Sequence, residues 1–183
     1  MALEDEIRVA FEGAIAFVDA GEEITGVLAT EPGRGARVYL CSYERDGERR
    51  WLAVDAGGRP VSDRVLVRDA VSIAAMCELA EESAGGGDVG DLRARLVELR
   101  LSENPDGIEE AEIAAAELQD VIGGTPRVAS VDYLDAIGLA AAKLEQALGE
   151  VGRSPFAEAM KTAIPAAEQL AKDVERSYKV PLG

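Results

Sequence analysis

Asp46-Gly47 stands between two runs that alternate in character yet stay apolar on both phases, ARVYLCSYE before it and RRWLAVD after it. An Asp-Gly pair supplies the two positive-φ residues of a type I′ turn, so the runs read as a β-hairpin with a two-residue loop. That register sets Arg45 against Glu48 and Glu44 against Arg49, two pairs of opposite charge. A three-residue loop would set like charges against each other. One face of the hairpin then carries Tyr39, Cys41, Leu52 and Val54, and the other Val38, Leu40, Trp51 and Ala53. Neither face is polar enough to meet water, so the sheet needs a covering layer on each side.

The neighbouring sequence supplies some of that cover. Leu3, Ile7, Ala10, Phe11, Ala14, Ile15 and Val18 recur at helical spacing and predict a helix over 3–19, which Gly21 ends. ITGVLAT at 24–30 reads as a strand, closed by the turn EPGRG. Together with the hairpin it makes a three-stranded antiparallel meander. After DAGGRP the pattern predicts five helices, at 63–83, 88–102, 107–122, 130–149 and 154–178. Gly85-Gly86-Gly87, Asn104-Pro105-Asp106-Gly107 and Gly123-Gly124-Thr125-Pro126 separate them, and Ser154-Pro155 offers a cap and a first-turn proline. Pro165 is expected to kink the last helix. The expected class is α+β: an N-terminal helix, the meander, then a mainly helical C-terminal half. The triple glycine suggests an α/β half over 1–86 and a helical half over 87–183, or one continuous domain.

The formal charge of −16 is unevenly spread. Residues 34–68 hold eight arginines against five acids, whereas residues 69–152 hold eighteen acids against five bases. Such a surface disfavours polyanions, so no nucleic-acid partner is expected, although arginines interleaved with Tyr39, Tyr43 and Trp51 would suit single strands. Histidine is absent, which removes the commonest metal ligand and general base. Cys41 and Cys77 sit in apolar patterns and are expected as reduced core residues. With no apolar run long enough to span a bilayer and an acidic N-terminus, the expected compartment is the cytoplasm, with no membrane partner.

Carboxylates are the remaining chemistry. Glu78, Leu79, Glu81 and Glu82 resemble the second half of the Nudix hydrolase signature, whose glutamates hold magnesium. The pattern departs at Cys77, where the signature has arginine, and at Ala84, where it has glycine. Projected at 100° per residue, Leu66, Ala70, Ile73, Cys77, Ala80 and Ala84 form one apolar stripe, so an arginine at 77 would point into the core. Glu117-Leu-Gln-Asp120 resembles the second element of MazG-like pyrophosphatases, and Glu78 and Glu81 would have to supply its partner. The alternative reading is therefore a magnesium-dependent nucleotide pyrophosphohydrolase using Glu78, Glu81, Glu82, Glu117 and Asp120.

The main expectation is a non-enzymatic, acidic protein that acts by protein–protein association as an adaptor, chaperone-like or antitoxin- or immunity-like protein. It has no catalytic residues, cofactor or metal of its own, and a basic protein is a candidate partner. Val38, Leu40, Trp51 and Ala53 are its interface candidates. The later helices could fold back over that face, but the expectation is a homodimer that buries it. The small-residue helix at 130–149, with Ala136, Gly138, Ala140, Ala141 and Ala142, offers close helix packing within the chain or at an interface.

Overall fold

A computed structural model describes residues 2–33, 35–84, 89–124, 127–149 and 156–178. The triple glycine, the Thr125-Pro126 stop and the Ser154-Pro155 cap lie outside them. The elements run α1 (Leu3–Ile15), β1 (Ile24–Glu31), β2 (Val38–Arg45), β3 (Glu48–Val54), α2 (Arg64–Ser83), α3 (Val89–Ser102), α4 (Ile108–Gly123), β4 (Val128–Ser130), α5 (Val131–Leu148) and α6 (Phe156–Ser177). The class is α+β as expected, with β1–β3 antiparallel and a mostly helical C-terminal half. The hairpin has the register that its charges demand: Arg45 pairs with Glu48 and Glu44 with Arg49, around Asp46 at φ 55° and Gly47 at φ 76°.

One strand was not foreseen. Val128, Ala129 and Ser130 pair in parallel with Ala29, Thr30 and Glu31, so the sheet has four strands in the order β3-β2-β1-β4. Three residues are too few to show a two-residue period, and the helical pattern that follows absorbed Ser130 into the helix expected over 130–149.

The chain divides into two compact units. The first comprises residues 1–75, 126–131 and 166–183; the second comprises 76–125 and 132–165. The boundaries thus fall inside α2 and after Pro165 in α6, and each unit draws on separate stretches of chain.

In the first unit, α1 lies against β1, β2 and β3. Ala10 and Ala14 from the helix join Ile24, Ala29, Tyr39, Cys41, Leu52 and Val54 in one core. The Tyr39 hydroxyl donates to Glu6, which also accepts from Arg37 at 3.1 Å. The opposite face corrects the interface expectation. Val38, Leu40 and Ala53 are 1%, 0% and 0% exposed within the single chain and form no outer surface; of the four candidates only Trp51 reaches solvent. Besides α1 and the sheet, this unit contains the first three turns of α2 and the last three of α6, which contribute buried Val67, Ala70, Val71, Ala167 and Ala171. Tyr178, just past α6, donates to the carbonyls of Ala53 (3.4 Å) and Val61 (3.2 Å). Arg68 reaches Glu175 at 3.6 Å, tying α2 to α6. Later helices do not merely satisfy one another. The end of α6 returns to the sheet, so burial of that face does not require a second subunit.

In the second unit, Val89 and Leu96 of α3, Ile108, Ala111, Ala114, Ala115 and Leu118 of α4, and Ala140, Ala141 and Leu144 of α5 form one core. Among these helices α3 and α4 pack closely, and alanines of α4 and α5 complete the shared core. Ala140 and Ala141 are thereby spent inside the chain, while Ala142 is exposed.

Two buried acids on β2 tie the stability of the fold to alkaline pH. Burial pushes the Cys41 thiol up to about 12, and burial with the hydrogen bond to Glu6 pushes the Tyr39 phenol up to about 12. Both hold their protons more tightly folded than unfolded. Stability is therefore intact below the ordinary thiol value of 9.0 and is lost as pH rises from there towards 12. Within that window a single such group costs about 1.4 kcal/mol per pH unit. Urea midpoints should fall steadily from about pH 9 upward, with a shallower fall in Cys41→Ala. A midpoint flat to about pH 11 would show that the thiol ionises without penalty.

A candidate binding groove at the edge of β3

β3 is an edge strand, and its far end is covered. Val61 N–H donates to the Ala53 carbonyl (2.9 Å), Val54 bridges Pro60, and Asp55 N–H donates to the Arg59 carbonyl (2.8 Å). The other end of the strand runs to the Asp46-Gly47 turn. There a groove of about 710 Å³ wraps the strand, reaching residues on both of its faces. Tyr43, Arg45, Glu48, Arg50 and Leu52 line it from the α1 side, with Phe17 just beyond that helix. Arg49 and Trp51 line it from the other side, with Val174, Ser177 and Tyr178 at the end of α6. All of these residues belong to the first unit.

The groove's side chains are held in place. Arg45 donates to both Glu22 and Asp19 in the α1–β1 connection. Glu22 also accepts the Asp19 N–H at 3.0 Å. The hydrogen bond from Arg45 holds the Glu22 carboxyl below its ordinary range, and Glu22 in turn raises Arg45, so this pair stays ionised through the neutral range. Arg45 stands 5.9 Å from the Tyr43 ring centre, and Arg49 lies over Trp51 at 4.2 Å, within cation–π reach. Glu48 pairs with Arg50 at 3.6 Å. Two backbone carbonyls anchor the Tyr178 hydroxyl, and burial raises its pKa.

The carboxylates of the alternative reading are placed elsewhere. Glu81 accepts the Tyr133 hydroxyl at 2.8 Å, and Glu117 pairs with Lys143 at 3.0 Å. Glu78, Glu82 and Asp120 are exposed. Among the described residues no group of three or more Cys, Asp or Glu is gathered closely enough to hold a metal ion, so the structure does not bring these five together. The sequence had marked the arginines and Tyr43 but tied them to nucleic acid, and it missed Phe17 and Tyr178 as lining. Tyr178 carried a signal in the apolar stripe of the last helix, but nothing local linked that stripe to Trp51. No family model, curated protein or solved structure matches this chain.

Proposed function

We propose that this protein works by protein–protein association, without chemistry of its own, and that the groove at the β3 edge is its contact surface. One observation carries the reading. The single tryptophan of the chain is half-buried in an open groove, with an arginine laid over its ring and a tyrosine fixed beside it. Trp, Tyr and Arg are the residues that dominate binding energy at protein interfaces, where a ring can be desolvated while its polar neighbours hold register. A basic partner would be met by the acidic segment 69–152. The proposed compartment is the cytoplasm, where the buried, unbridged Cys41 and Cys77 stay reduced. No helix among the described residues is long and apolar enough to cross a membrane.

The test immobilises the full chain and exposes it to lysate of its native host beside Trp51→Ser, whose fold is checked by circular dichroism. Support is a protein held by the wild type, lost with the variant, and able after purification to shift the Trp51 emission. Equal recovery on both chains would overturn the assignment of the groove.

A further inference from the structure

We infer that two copies of this chain associate through α3, parallel and in register about a two-fold axis, on a surface separate from the groove. The helix is apolar on both sides. Val89, Leu92, Leu96 and Leu99 pack into the core of the second unit. On the other side Gly90, Ala94, Val97 and Leu101 recur at steps of four, three and four. All four are exposed, Val97 at 40% and Leu101 at 75%. That spacing is the seam of a paired helix, with Ala94 and Leu101 in one kind of layer and Gly90 and Val97 in the other. A surface helix that serves one core turns a polar back to water, so a second apolar seam calls for a second covering layer.

The flanking charges say what that layer is. Projected at 100° per residue, Asp91 and Glu98 border the seam on one side, and Arg93 and Arg100 on the other. Arg100 donates to Glu112 of α4 at 2.9 Å, whereas Arg93 donates to Gln119, a neutral partner that leaves its charge in place. Two copies laid antiparallel would set Arg93 against Arg100 and Asp91 against Glu98, like charges along both borders. Laid parallel, Arg93 of each copy meets Glu98 of the other, an opposite-charge pair made twice by the two-fold axis. The chain as a whole carries −16, which opposes self-association over most of its surface. α3 is a balanced place in it, with three arginines against two acids. Three turns of helix bury less than the ~1,200 Å² of a standard interface, so the dimer is weak, half-formed on the order of 100 µM.

Sedimentation equilibrium of the full chain from about 10 µM to about 1 mM tests the association. The mass should rise from 19.3 kDa towards twice that value. Val97→Glu, with its fold checked by circular dichroism, should stay monomeric throughout. Arg93→Glu and Glu98→Arg should each weaken the dimer about tenfold. An equimolar mixture of the two should restore it, because each chain then offers the charge that the other lacks. Orientation is read from Ala94→Cys in oxidised glutathione. The parallel seam brings the two new thiols together as a disulfide-linked dimer, while Cys41 and Cys77 stay buried. A monomer at every concentration, or a dimer indifferent to Val97→Glu, would overturn the inference. A dimer strengthened by either single charge reversal, or Ala94→Cys chains that do not link, would overturn the parallel arrangement. Trp51→Ser should dimerise as the wild type does. A dimer lost in Trp51→Ser but kept in Val97→Glu would give self-association to the groove and also overturn the assignment to α3.

Discussion

Gly13→Ala is expected to destabilise the protein by about 2 kcal/mol, although alanine is the better helix former by about 1 kcal/mol. Gly13 lies in the last turns of α1, against the loop that follows β3. A methyl group there would stand 2.2 Å from the Gly58 carbonyl oxygen, 2.5 Å from its Cα and 2.7 Å from its carbonyl carbon. All three are backbone atoms, so no side chain can swing aside. Gly58 is itself held fast, at φ +73°, with its N–H on the Asp55 carbonyl at 2.9 Å. The Asp55 carboxylate also accepts the N–H groups of Gly57 (2.8 Å) and Arg59 (3.0 Å). Relief must come from lifting α1 off a sheet face whose core it closes with Ala10 and Ala14. Gly123→Ala is the control: nothing stands within 4 Å of its added methyl, and a change within about 0.5 kcal/mol is expected. Urea unfolding followed by circular dichroism decides. A wild-type midpoint for Gly13→Ala would mean that α1 is not seated on this loop.

Cys77→Arg is expected to cost about 3 kcal/mol or more, because it buries a charge in a site built for a small apolar side chain. Cys77 is 2% exposed, on the stripe of α2 that also buries Ala70, Ile73 and Ala80. Cys77→Ala should lose only about 1 kcal/mol, the cost of a small truncation. Differential scanning calorimetry of the two variants separates charge from volume. Thiol titration checks the burial itself: both cysteines should resist a bulky reagent in the native protein and react at once in denaturant. Rapid native reaction at Cys77 would reverse the helical projection and restore the resemblance at Glu78–Glu82 to consideration.

What was legible in the sequence is what neighbours along the chain decide. The hairpin register followed from Asp46-Gly47 and from charges a few residues apart, and the burial of Cys77 from a 3.6-residue period within one helix. Periodicity says that a residue faces something apolar, but not what it faces. For this reason Val38, Leu40 and Ala53 were recognised as needing cover and then assigned to an interface, when the chain's own α2 and α6 are the elements left to cover them. β4 escaped for a related reason. A three-residue strand has almost no local signature, and it exists because its backbone finds β1 in parallel, with the partner residues far apart in sequence. The groove is the clearest case. Arg49 and Trp51 lie two residues apart in sequence and stack in space, but Tyr178 joins them in the groove's lining only because its hydroxyl finds the carbonyls of Ala53 and Val61, which the edge of β3 and the following loop present to it. Local chemistry determined the strands and helix faces; packing of distant segments decided what covers each face and what lines the groove.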